Sequence, residues 1–136
     1  MKCHELKLQL PYFYDVYVGK KTFEIRKNDR DYKVGDILEL YLYDPVERSY
    51  KGFKRDFKYT PEQMILLPRD YLQDPTKLVP TDENNAAKVV VHVTYITDYE
   101  QKPGYVVMGI EREQAEKSMF AELEDLNIKK TTINGR

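Results

Sequence analysis

His4-Glu5-Leu6-Lys7-Leu8-Gln9-Leu10 alternates polar and apolar residues, which puts Leu6, Leu8 and Leu10 on one face of a half-buried strand. The same period of two returns over Lys21–Lys27, Ile37–Tyr43, Lys88–Thr97 and Tyr105–Glu111. These runs are short, and turn residues such as Gly19, Gly35-Asp36, Asp44-Pro45 and Pro103-Gly104 stand between them. Alternation reset so often favours a mostly-β (α+β) chain folded as a small barrel over a parallel sheet.

The elements between these strands follow from local chemistry. Pro11 breaks the first strand and opens a short helix to about Val18, with Phe13, Val16 and Tyr17 at helical spacing and Gly19 as a left-handed stop. In the strand that follows, Phe23 and Ile25 are expected to face the core, with Thr22, Glu24 and Arg26 opposite. Val89, Val91, Val93 and Tyr95 are expected to share a buried face, with His92 turned away. Residues 46–85 read as an insertion. Tyr50-Lys51-Gly52-Phe53 hints at a hairpin, and Thr60-Pro61-Glu62-Gln63 opens a short helix through about Leu67. Pro68, Pro75 and Pro80 then keep the chain irregular to Asn85, as a functional flap would be. A charged helix is expected over Glu113–Leu126. This divides the chain into a barrel domain, 1–112, and a helical extension with a tail, 113–136.

Composition narrows the function classes. The 136 residues suit one domain with an ordinary core. Cys3 stands alone, which excludes an internal disulfide and a cysteine-built zinc cluster, and His4 and His92 are too few for a histidine metal site. No metal or cofactor is therefore expected. The apolar runs fall far short of the ~18 residues of a membrane span, and no secretion signal opens the chain, so a soluble cytoplasmic protein is expected. A formal net charge of −1 removes bulk basicity as an argument for nucleic-acid binding. It hides a dipolar chain, however: residues 20–33 and 46–60 each carry a local +3, and residues 111–125 carry −4. Tyr32, Tyr41, Tyr43, Tyr50, Phe53, Phe57 and Tyr59 interleave with the basic stretches, a pattern that suits backbone contacts and base stacking.

The densest chemical signal is Gly19-Lys20-Lys21-Thr22-Phe23-Glu24-Ile25-Arg26. Glu24 and Arg26 lie two apart and share a strand face, and Lys21 sits at the helix-to-strand junction. Gly19, Lys21, Glu24 and Arg26 fill a G-x-K-x-x-E-x-R pattern that resembles the signature of the ASCH superfamily. The wider stretch His4–Lys7, Gly19–Tyr32, Val34-Gly35-Asp36 and Gly104–Val107 looks like its DUF3850 branch. The resemblance covers residues 4–44 and 88–111. It implies a PUA-like barrel with a cleft beside the first helix and an RNA or nucleotide-like ligand. Gly19, Lys21, Glu24, Arg26, Lys27, Asn28, Arg30, His4 and Tyr105 are then the expected binding residues. Lys21 and Arg26 would hold a phosphate or base edge, and Glu24 would accept from an exocyclic amine or orient Lys21.

Some ASCH proteins hydrolyse N4-acetylcytidine with a Lys, a Thr and a Glu. That similarity implies an alternative, an amidohydrolase of a modified nucleoside with Lys21 and Glu24 as candidate catalytic residues. Here Glu24 stands where that branch has threonine. A second alternative is a protein-interaction module that docks on a basic partner through the acidic C-terminal helix. With Phe23 in the core and Arg26 in a wet cleft, Phe23→Ala should cost ~3–5 kcal/mol and Arg26→Ala little.

Overall fold

The computed structural model describes residues 1–54, 60 and 68–113. The helices expected from Thr60 to Leu67 and from Glu113 to Leu126 fall outside the described residues, apart from Thr60 and Glu113 themselves. The chain runs β1 (Cys3–Leu8), α1 (Tyr12–Tyr17), β2 (Phe23–Lys27), β3 (Ile37–Asp44), β4 (Ser49–Phe53), α2 (Pro68–Gln73), β5 (Leu78–Thr81), β6 (Lys88–Thr97) and β7 (Tyr105–Arg112). The fold is mostly β. The strands form one open sheet in the order β2-β7-β6-β3-β4-β5, with β1 on the other side of β3. Pairing is antiparallel except between β1 and β3, which run parallel from Cys3↔Ile37 to Leu8↔Leu42.

One face of this sheet is the core. Leu6 and Leu8 of β1, Leu38, Leu40 and Leu42 of β3, Val89, Val91 and Val93 of β6, and Val106, Met108 and Ile110 of β7 are all buried there. Alternation along each strand produces this face, as the period of two requires. Phe13, Val16 and Tyr17 of α1 close over it. Gly19 ends α1 at φ +83°, a backbone state that costs glycine nothing, and the chain turns straight into β2.

Two expectations change. Residues 46–85 are not irregular throughout: β4 and β5 add two strands to the sheet through Tyr43↔Tyr50 and Tyr50↔Thr81. Pro80 is tolerated because β5 is the outermost strand, where a missing N–H donor has no ladder to break. On β6, Tyr95 is exposed, whereas Val89, Val91 and Val93 are buried. An irregularity between Val93 and Tyr95 inserts an extra residue against β7, and every side chain beyond it changes face.

The parallel β1–β3 register is pinned at its start by Asp36. Its carboxylate accepts from the Lys2 N–H at 3.0 Å, the His4 ring at 2.8 Å and the Lys33 N–H at 3.0 Å. Burial pushes the Asp36 carboxyl up, but these bonds outweigh it and hold the group at about 2, below its ordinary 3.8. A carboxyl depressed on folding stabilises the fold above its unfolded value, and that stability is lost as pH falls through the folded value. The stability difference between wild type and Asp36→Asn, measured by urea unfolding, should therefore narrow by about 2 kcal/mol between pH 6 and pH 2.

Candidate functional site

The sheet's hydrogen-bond ladder runs out at β1 and β2, and side chains join them. The Arg26 Nη2 donates to the Lys7 carbonyl at 2.9 Å, and the Arg30 Nη1 donates to the Glu5 carbonyl at 3.0 Å. Glu5 and Lys7 are two apart, so their carbonyls leave the same edge of β1. That edge faces away from β3, to which Lys2, of the opposite parity, gives its carbonyl through the Ile37 N–H at 2.8 Å. Lys21 caps the other strand, with Nζ donating to the Phe23 carbonyl at 2.6 Å.

At this seam lies a buried carboxylate. Glu24 is 2% exposed and pairs across the ladder with Met108, so it points to the core side of β2. Its Oε1 accepts from Lys21 Nζ at 2.6 Å and its Oε2 from Arg26 Nε at 2.8 Å. This inverts the expected facing: Phe23 and Ile25, expected in the core, are 43% and 52% exposed. Alternation fixes only that Glu24 and Phe23 point opposite ways. Two cations on the two oxygens make the buried charge tolerable and leave the apolar pair outside.

Phe23 and Ile25 become one wall of a cleft of roughly 660 Å³, which Lys7, Leu8, Tyr12, Tyr43 and Pro45 help to line. Lys21, Glu24 and Arg26 line it too. Lys21 Nζ sits 4.8 Å from the centre of the Phe23 ring and 5.9 Å from that of Tyr12. Lys7 Nζ lies 4.4 Å over the Tyr43 ring. Aromatic faces attract cations, so the rings that border the cleft also hold its charges in place. Lys7 and Tyr12 were absent from the expected binding residues, and Tyr43 figured only among the aromatics interleaved with the basic stretches. Lys7 carries a signal in hindsight, since it occupies the outward position of an alternating strand. For Tyr43 that interleaving was the signal, and the register of β3 brings it to the cleft.

The remaining expected residues serve elsewhere. His4 is buried against Asp36, with its ring 4.8 Å from that of Tyr32. The Asn28 Oδ1 accepts from the Tyr32 N–H at 3.2 Å, and its N–H donates to the Gly104 carbonyl at 2.7 Å. Burial raises the pKa of Tyr32. Lys27 pairs with Tyr105 at the end of the β2–β7 ladder. Gly19 shapes the α1–β2 turn, after which the Lys21 N–H donates to the Asp15 carbonyl at 2.9 Å. Arg30 works at the seam. None of these six is among the residues that line the cleft. On the far side of β1, a hydrogen bond from Cys3 to Glu39 pushes the thiol up to about 11, which makes it a poor nucleophile at neutral pH. Among the described residues, no three His, Cys, Asp or Glu side chains are grouped to hold a metal ion. No helix among them is long and apolar enough to cross a membrane.

An open, mostly-β sheet with a cationic, aromatic-walled cleft at its unpaired seam defines the class of molecule. Residues 3–110 match the model of the DUF3850 family, a domain of unknown function, and the chain belongs to that family. It is also similar to an uncharacterized 12.9 kDa protein in the GpA 3′ region of Escherichia phage P2, with 42% identity over 59 residues. That match covers 43% of this chain and 52% of the phage protein, so the chain spans about half the length of this curated relative.

The inverted facing of β2 reverses the expected order of mutational costs. Phe23→Ala removes a half-exposed ring and should cost about 1 kcal/mol. Arg26→Ala leaves Glu24 with one partner and the Lys7 carbonyl uncapped, and should cost about 2–3 kcal/mol. Denaturant midpoints of the two variants against wild type measure the order directly.

Proposed function

We propose that this DUF3850 chain is an RNA- or nucleotide-binding domain whose ligand enters the cleft between β1 and β2. The observation that carries the reading is Glu24, a buried carboxylate whose two oxygens hold Lys21 and Arg26 in fixed positions at an aromatic-walled opening. Cations fixed in advance bind an anion with little ordering cost, and the surrounding rings offer planar faces to a base. A volume of roughly 660 Å³ falls within the usual range of small-ligand sites. Lys7 has no carboxylate partner among the described residues, and Arg26 keeps part of its donor fork unspent, so both suit a phosphate.

The seam supports a finer assignment of the fold. We propose that the sheet is a PUA-like barrel of the ASCH superfamily, a reading supported by the side chains that join β1 to β2 around a shared core face in place of a ladder. Binding is favoured over hydrolysis, because both oxygens of Glu24 are engaged and Lys21 is committed to Glu24 and to the Phe23 carbonyl.

Titration of wild type into labelled tRNA and single-stranded RNA at two salt concentrations tests the proposal. Affinity should fall as salt rises, and Lys7→Ala, which leaves both partners of Glu24 in place, should flatten the logarithmic salt slope by about one unit. Lys21→Ala/Arg26→Ala should weaken binding further, with circular dichroism reporting whether the fold survives. Salt-insensitive or absent binding by wild type overturns the reading.

A further inference from the structure

The outer face of the β2–β7–β6 sheet carries a patch that the cleft does not absorb. Pairing sets Phe23, Gly109 and Tyr95 in one row across the three strands, and Ile25, Val107 and Thr97 in the next. Lys27 and Tyr105 follow. Facing partners in a sheet project to the same side, so these rows share the face opposite the core. Tyr95 is 64% exposed, and Phe23, Ile25 and Tyr105 are exposed beside it. The irregularity on β6 is what turns Tyr95 outward; an unbroken alternation would have buried it.

Gly109 keeps the middle of the row low, because only a residue without a side chain fits there. A Cβ there would stand 2.9 Å from Thr94 Oγ1 and 3.4 Å from Tyr95 Cβ. Two strand spacings, about 9.5 Å, separate the backbones that carry Phe23 and Tyr95, with Gly109 between them and the Thr94 side chain beside it. Phe23 also lines the cleft, so the exposed row is continuous with it.

We propose that this face is a stacking platform for a single-stranded nucleic acid, which continues from the cleft across Phe23, Gly109 and Tyr95. The inference rests on the cleft binding a nucleotide, and deepens it: the ligand is an oligonucleotide rather than a mononucleotide. Charge selects this occupant. Lys21 stands 4.8 Å from the Phe23 ring at one corner, and Lys27 flanks Tyr105 at the other end of the patch. Glu111, two residues beyond Gly109 on the same face, repels a phosphate there and directs the strand toward Lys27. Stacking on exposed rings flanked by lysines needs no particular base, so the platform adds affinity without sequence choice.

The test compares uridine 5′-monophosphate with a labelled hexauridylate on the full-length protein. Wild type should bind the hexamer at least tenfold more tightly than the monomer. Tyr95→Ala should remove about tenfold of hexamer affinity and leave the monomer unchanged, and Tyr95→Phe should restore the loss. If Tyr95→Ala leaves hexamer binding intact while Lys7→Ala still weakens it, the platform is overturned and the cleft reading stands. If neither probe binds wild type, both fall. Sedimentation decides the rival occupant: a wild-type dimer that Tyr95→Ala dissociates, with RNA affinity unaltered, makes the face a contact between two copies and overturns the platform.

Discussion

The arrangement around the cleft follows from one electrostatic requirement: a carboxylate on the core side of β2 must be paired. Desolvating a lone ionised carboxylate costs several kcal/mol, roughly, even after relaxation. Glu24 meets that cost with a cation on each oxygen, one from the helix-to-strand junction and one from its own strand. With Lys21 and Arg26 drawn to the carboxylate, Phe23 and Ile25 take the opposite side. The wall of the cleft and the inverted face of β2 are thus consequences of one ion-pair set.

The same cations explain how the sheet ends without a ladder. Backbone carbonyls at an unpaired edge need donors, and Arg26, Arg30 and Lys21 supply them from side chains. A side-chain bridge spans more distance than a strand-to-strand bond, so the seam can remain open as a cleft and still be satisfied. Arg26 therefore has two duties, which tie the integrity of the seam to the charge of the site. A variant at this position reports on both, and Lys7, which caps no carbonyl among the described residues, separates them.

Much of the fold was legible in the residues because alternation is a local property. β1, β3, β6 and β7 lie within a residue or two of where the pattern places them, and Gly19 stops α1 as its φ +83° requires. The central segment was less legible. β4 and β5 are short, and nothing in Leu78-Val79-Pro80-Thr81 announces a strand until Tyr50 and Gly52 lie beside it. The irregularity on β6 was not legible at all. It reflects how β6 meets β7, and Thr94 looks like any other residue of a β-rich run.

For the site, the sequence by itself determined which residues are chemically matched: a lysine, a glutamate and an arginine at spacings that let them meet, beside a glycine that turns a helix into a strand. It also determined family membership, since the family model matches residues 3–110. Only the tertiary structure decided which face of β2 is buried, because a period of two is symmetric and gives no sign of which side holds the core. It also decided that His4 fastens Asp36 rather than reaching the cleft, and that Lys7, Tyr12 and Tyr43 border it. Those placements depend on the β1–β3 register and the seat of α1, which are long-range contacts that no local pattern encodes.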